Sequence, residues 1–144
     1  MGTMVAELVM TAGVVEISET RDVPIPALRA LYDTAAWARD RTSAQLRTLL
    51  HRSDVFLTAW DGDVLVGSAR VLTDFTVRAL ICDVVVDPAY QGEGIGRTLV
   101  EAVETHPALR DVEQLCLFTT KKRDFYAHLG WEEHPVQGMV KSRR

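Results

Sequence analysis

Cysteine is scarce in this chain. Cys82 and Cys116 are the only two among 144 residues, too few for a disulfide-stapled scaffold. Both stand in apolar runs, which predicts small core residues in a reducing compartment. Neither has metal-ligand spacing with His51, His106, His128 or His134, so no metal is expected. No apolar run approaches the ~20 residues that span a bilayer, which argues against a membrane partner. Positive charge is also in deficit: 16 Lys and Arg against 20 Asp and Glu leave a net charge of -4. That balance lacks the footprint of a nucleic-acid binder. The basic residues at 141–144 read as a solvated tail. Residues 1–10 include Glu7 and no basic stretch before an apolar one, so no secretory signal is read and a cytoplasmic location is expected. Repeats, low-complexity segments and long linkers are missing too. A single domain over 1–144 follows, with 1–12 as a flexible lead.

What is present is an ordered alternation of strands and helices. Residues 14–17 read as a short strand. Pro24 and Pro26 open a helix with Leu28, Leu31 and Tyr32 on one face. Thr42 or Ser43 caps a second helix carrying Leu46, Leu49 and Leu50. Two strands over 55–60 and 64–71 flank Asp61-Gly62, a hairpin signal. A strand over 79–86 is nearly all apolar, interrupted by Asp83, as in a strand buried on both faces. A helix from about 94 to 104 ends before Pro107. A buried strand over 114–118, a helix over 121–129 closed by Gly130, and a final strand over 131–140 complete the pattern. The reading is an α+β fold of mixed layers.

The most informative stretch is Val84-Val85-Val86-Asp87-Pro88-Ala89-Tyr90-Gln91-Gly92-Glu93-Gly94-Ile95-Gly96-Arg97. A strand gives way to a glycine-rich turn and then to a helix containing Leu99, Val100 and Val103. Helix starts expose free N–H groups and a partial positive charge, and glycine admits a bulky anion to them. Two phosphate motifs fail here. A P-loop needs glycine where Gln91 stands and lysine where Arg97 stands. The dinucleotide fingerprint needs its third glycine at Arg97. A tight turn without a ligand does not need three alternating glycines.

Gln-x-x-Gly-x-Gly after a strand ending in Val-x-Pro resembles the GNAT superfamily of acyl-CoA-dependent N-acetyltransferases. The order of elements matches over nearly the whole chain. Asp83 to Pro88, Asp124-Phe125-Tyr126 and Leu129-Gly130-Trp131 resemble the plastid-type serotonin and lysine N-acetyltransferase branch and its bacterial relatives. The resemblance implies a mostly antiparallel twisted sheet flanked by about four helices. That sheet splays between its fourth and fifth strands, 79–86 and 114–118.

It also implies an enzyme that moves an acetyl group from acetyl-CoA to a primary amine by direct attack. The backbone of Gln91, Gly92, Glu93, Gly94, Ile95, Gly96 and Arg97, with Thr98 beside it, would hold the CoA pyrophosphate. Val84 would offer its N–H to the thioester carbonyl, and Val85 and Val86 would pair with the pantetheine arm. Tyr126 would protonate the departing thiolate. Asp83 is a candidate base; a structural carboxylate bonded to Arg70 and a proton route through water are the competing readings. The acceptor pocket would draw on Tyr32, Trp37, Leu72, Asp74 and Phe75. Lys121 and Lys122 could meet CoA phosphates or remain solvated. The acid that the plastid-type branch carries at the end of the 114–118 strand is missing, because that segment reads Leu117-Phe118-Thr119-Thr120-Lys121. A homodimer is common in the family. The acceptor, a small arylalkylamine or polyamine or else a protein lysine or N-terminus, is left open, and a non-catalytic acyl-CoA sensor is the rival function.

Overall fold

The computed structural model describes residues 4–10, 13–134 and 138–143. Six strands form one sheet in sequence order: β1 (Met4–Met10), β2 (Gly13–Ser18), β3 (Val55–Asp61), β4 (Val64–Thr73), β5 (Arg78–Val86) and β6 (Gln114–Leu117). All neighbours are antiparallel except β5 and β6, which run parallel. Four helices accompany them: α1 (Ile25–Tyr32), α2 (Ser43–Arg52), α3 (Ile95–Glu104) and α4 (Arg123–His128). The mixed-layer reading therefore describes the chain.

Two terminal expectations are corrected. Residues 4–10 are a strand, not a flexible lead, because Ala6 to Met10 pair with Ile17 to Gly13 and half-bury Val5, Leu8 and Met10 against the core. No final strand forms among the described residues of 131–134 and 138–143, and 135–137 lie outside them. Gly138 weakens strand preference.

Each face of the sheet has its own core. Ile95, Leu99, Ala102 and Val103 of α3 pack on Ile17, Leu57, Ala69 and Ile81. Leu28, Leu31 and Tyr32 of α1 and Leu46 and Leu50 of α2 pack on Phe56, Leu65 and Val85. Fully burying one such aliphatic side chain stabilises by roughly 1.5–3 kcal/mol. Thr42 rather than Ser43 caps α2: its hydroxyl accepts from the Gln45 N–H, and the Gln45 side chain accepts from the Thr42 N–H. This reciprocal pair satisfies two otherwise orphaned donors.

One irregularity positions everything that follows. In the β4–β5 ladder Val71 pairs with Ile81 and Arg70 with Asp83, leaving Cys82 as an extra residue. A bulge of this kind inverts the alternation of the strand beyond it. Ala79 and Ile81 accordingly face α3, whereas Val85 lies in the core under α1 and α2, and Val84 and Val86 turn toward α3. Cys82 is half-buried at this bulge, and Cys116 is half-buried on β6, so neither is the fully enclosed core residue expected.

Candidate functional site

The bulge also switches which backbone groups β5 leaves free. The Asp87 N–H donates to Val66 O at 2.8 Å, which sets the phase of the ladder. Bonded and non-bonded pairs alternate in an antiparallel ladder, so Ser68–Val85 and Arg70–Asp83 are the bonded pairs. The N–H and C=O of Val84 and Val86 therefore point away from β4. On that side β6 pairs with β5 only from Arg78 to Ile81. Past Ile81 the two strands part, and the polar edge of Val84 and Val86 faces the gap. Val85 differs from its neighbours, since its backbone is engaged with β4 and its side chain is buried. A pairing role for Val85 toward a ligand is thus corrected.

The glycine turn lies directly beyond this edge. Gly92 and Gly94 have φ of +82° and +92°, and Gly94 is the N-cap of α3. That left-handed conformation suits glycine because no Cβ meets the carbonyl. The first bond of the helix runs from the Thr98 N–H to Gly94 O at 3.0 Å. The N–H groups of Ile95, Gly96 and Arg97 precede that ladder and are available to an anion. A Cβ on Gly96 would lie 3.5 Å from Phe125 Cζ and 3.6 Å from Val86 Cγ2. The end of β5, the start of α3 and α4 thus converge on Gly96.

The side chains of the turn contribute less than its backbone. Ile95 is buried in the core, and Glu93 presents an exposed acid that would repel a phosphate. Arg97 Nε donates to Glu101 Oε1 at 2.7 Å, the Thr98 hydroxyl donates to Gly94 O at 2.8 Å, and Gln91 Nε2 donates to Val86 O at 3.4 Å. From behind, Leu8 of β1 lies 3.8 Å from where a Gly94 Cβ would be. Sequence periodicity did not reveal this buttress, because β1 gains its core only from tertiary contact.

Tyr126 lies on α4, half-buried, with Phe125 and Trp131 rings edge-on at 5.0 and 6.1 Å. Burial pushes its phenol pKa up, and no hydrogen bond contributes. Trp131 Nε1 donates to Glu104 Oε1 at 2.8 Å, which fixes the end of α4 against α3.

Asp83 is on the opposite face of β5. The residue is 4% exposed, and its carboxylate accepts Arg70 Nε at 2.5 Å and Arg41 Nη1 at 3.0 Å on Oδ2, with Arg41 Nη2 at 3.4 Å from Oδ1. Both oxygens are occupied, so the free-base reading is corrected in favour of a structural carboxylate. Arg41 was invisible in the sequence, because it lies in a connection with no periodicity. Its Cζ is 5.2 Å from the Tyr32 ring centroid and 5.9 Å from that of Trp37. The Tyr32 phenol pKa is pushed up to about 12, first by burial and then by the Asp83 charge. Tyr32 Oη and Ser68 Oγ are both buried without a hydrogen-bond partner.

The nominated acceptor residues divide into two places. Tyr32 and Trp37 meet at Arg41. Leu72, Asp74 and Phe75 lie at the far end of β5, with Asp74 and Phe75 in the β4–β5 turn. Asp74 Oδ1 accepts the N–H of Thr76, Val77 and Arg78 at 2.9, 2.8 and 3.2 Å, and these bonds hold its carboxyl below the usual range. Phe75 is 46% exposed at φ +60°. Six residues of strand, 78–83, at ~3.3 Å each, separate Val77 from Val84. Asp74 builds its own turn, and an acceptor role there is corrected. Lys121 and Lys122 are exposed ahead of α4. Among the described residues no group of three His, Cys, Asp or Glu could hold a metal ion, and no helix is long and apolar enough to cross a membrane.

Comparison with known proteins adds three findings. The family described as acetyltransferase (GNAT) domain matches residues 52–133. The chain is 33% identical over 132 residues to a histone acetyltransferase TAP1 of Glycine max, covering 82% of this chain and 57% of that one. It spans 30% and 32% of two further plant relatives, so it is much shorter than these curated proteins. Among solved structures, an acetyltransferase assigned to the GNAT family from Xanthomonas campestris pv. campestris superposes with a TM-score of 0.77 at 26% identity, over 88% of this chain and 93% of that one. An aminoglycoside N-acetyltransferase in complex with CoA superposes with a TM-score of 0.71 over 90% of this chain and 95% of that one. At 14% identity this last likeness is one of fold alone.

Proposed function

The chain belongs to the GNAT acetyltransferase family, and on that premise we propose that it transfers an acetyl group from acetyl-CoA to a primary amine. The observation that carries this reading is the polar edge of Val84 and Val86, turned from β4 and met only at the Val86 carbonyl by the Gln91 side chain, opening beside the unpaired N–H groups that begin α3. A pyrophosphate fits the second feature and a pantetheine amide chain the first. Acetyl-CoA supplies a thioester, whose acyl carbon takes the amine while the C–S bond breaks.

The chain's own residues then have separable tasks. The N–H groups of Ile95, Gly96 and Arg97 bind phosphate oxygens, and Gly92 and Gly94 give them room. The Val84 N–H points into the gap, where it stabilises charge growing on a carbonyl oxygen. Tyr126 keeps its proton at neutral pH and donates it to the leaving sulfur. A model lysine amine with pKa ~10.4 is almost wholly ammonium at pH 7, so the acceptor must lose a proton. With Asp83 held by Arg41 and Arg70, that proton leaves to water. Cytoplasmic residence is part of the same proposal.

Release of CoA thiol from acetyl-CoA, followed with a panel of amines and peptides, tests the reading alongside calorimetric CoA binding. Amine-dependent thiol release is the expected outcome. Tight CoA binding without turnover for any acceptor would replace the enzyme with an acyl-CoA sensor, and no CoA binding would sink both.

A further inference from the structure

We propose that the acceptor side of β5 takes an amine that also carries an anionic group, and that Arg41 selects it. This rests on the acetyl-transfer reading above for the location of the reacting amine, and on the following geometry for its chemistry.

Two guanidinium groups share one carboxylate in this cluster. Arg41 and Arg70 both donate to Asp83, which leaves one positive charge uncompensated. The three are unequally exposed: the Arg41 side chain is 24% exposed, Arg70 13% and Asp83 6%. The carboxylate is therefore the floor of the cluster, and the part that meets solvent is cationic. The neighbourhood does not cancel that charge. On the connection between α1 and α2, Asp33, Arg39 and Asp40 are exposed and none bonds to the cluster. On α1, Arg29 donates to Arg41 O at 3.0 Å and to Ser43 Oγ at 2.6 Å, adding a further positive charge. On β5 itself, Cys82 has its thiol pKa raised, mainly by burial, and is uncharged at neutral pH. Counting these groups together, one positive charge remains, on a chain whose net charge is -4.

The exposed indole of Trp37 and the buried ring of Tyr32 hold the Arg41 guanidinium in place. Asp83 adjoins Val84 in sequence, so Arg41 stands one carboxylate and one hydrogen bond from the backbone proposed to meet the thioester. An acceptor amine at Val84 would bring a substituent a few bonds away to Arg41. A carboxylate there gains a charge-assisted bond, whereas a second ammonium is repelled. Both a small amino acid and a protein N-terminus followed by acidic residues carry this chemistry. Polyamines and lysine-rich segments do not.

The test pairs acceptors of matched length and opposite terminal charge: γ-aminobutyrate against putrescine, and peptides beginning Glu-Glu against Lys-Lys. kcat/KM is measured with acetyl-CoA for the wild type, Arg41→Gln and Arg41→Lys. In at least one pair the acidic member is expected to be favoured by about tenfold, the size of one good charge-assisted contact. The pair that shows the preference identifies the source. Arg41→Gln should bring the ratio near one and Arg41→Lys should retain part of it, while calorimetric CoA affinity stays constant. A wild-type ratio near one or favouring the cation in both pairs overturns the proposal, whatever the variants do. If no acceptor turns over, NMR line broadening of the same four probes reads the preference directly, and absence of Arg41-dependent binding of the acids overturns it. CoA affinity reports separately on the acetyl-transfer reading, so the two can fail independently.

Discussion

Arg70 Nε donates to Asp83 Oδ2 at 2.5 Å across the last bonded pair of the β4–β5 ladder before the bulge at Cys82. The bulge and the ion pair belong together. Had the strand continued in register, Asp83 would face α3 and its apolar core, where a carboxylate would lack both guanidinium partners.

Removing the charge of Asp83 should therefore act on stability before it acts on chemistry. Asp83→Asn leaves two largely buried guanidinium groups without their counter-charge, a loss of about 3–5 kcal/mol. Urea denaturation of the CoA-free protein at pH 7 measures it. A variant with wild-type stability and a collapsed kcat would restore Asp83 as the base.

Tyr126→Phe removes a hydroxyl that takes part in no hydrogen bond among the described residues, on a ring packed edge-on against Phe125, whose own ring meets Gly96. General-acid catalysis is typically worth 10²–10⁴-fold, so kcat should fall by about 10²-fold. KM for acetyl-CoA should change little, because ring packing against Phe125 and Trp131 is retained. Steady-state kinetics with a competent acceptor gives both numbers.

Gly94 and Gly96 should separate folding from binding. Gly94→Ala forces a Cβ into the left-handed region, a strain of about 1–2 kcal/mol at the N-cap of α3. Both thermal stability and CoA affinity should drop. Gly96→Ala adds a Cβ at ordinary contact distance within the helix, where alanine is favoured over glycine by about 1 kcal/mol. Its thermal midpoint should hold or rise while its CoA affinity falls. Thermal unfolding with and without CoA reads both variants, and unchanged CoA affinity in Gly96→Ala would remove Gly96 from the cradle.

Tyr32 should impose an alkaline limit on stability. Its folded pKa of about 12 exceeds the ordinary 10.0, because burial and Asp83 disfavour the phenolate. Above pH 10 the unfolded chain releases this proton while the folded chain keeps it, so stability is intact below pH 10 and lost as pH rises toward 12. Two pKa units correspond to about 3 kcal/mol. Tyr32→Phe should remove this contribution to the slope between pH 10 and 12, and should be neutral or stabilising at pH 7, since it deletes an unpartnered buried hydroxyl. Denaturant titrations at pH 8 and pH 11 on both proteins make the comparison.

The residues of the fold differ in how far they announce themselves. Thr42 with Gln45, Asp61-Gly62 and the spacing of Leu99, Val100 and Val103 carry local signals that make their elements readable from the chain. The strand at 4–10 carries none, since its apolar residues are interspersed with Glu7 and its character shows only in its pairing with β2. At the site, Gln91 to Arg97 is legible because its function lies in backbone conformation, which glycine encodes directly. Arg41 and Ser68 are not, because their meaning comes from residues brought close by the sheet.

By itself, then, the sequence determined the elements from 14 to 129, the glycine turn and the family they point to. All of these depend on interactions within a few residues. The tertiary structure alone decided which face each β5 residue takes. A single extra residue at Cys82 inverts the alternation, turning the polar edge of Val84 and Val86 toward the gap past β6 and delivering Asp83 to Arg41 and Arg70. That outcome depends on the register between β4 and β5, a relation between distant segments that no local pattern in either strand specifies.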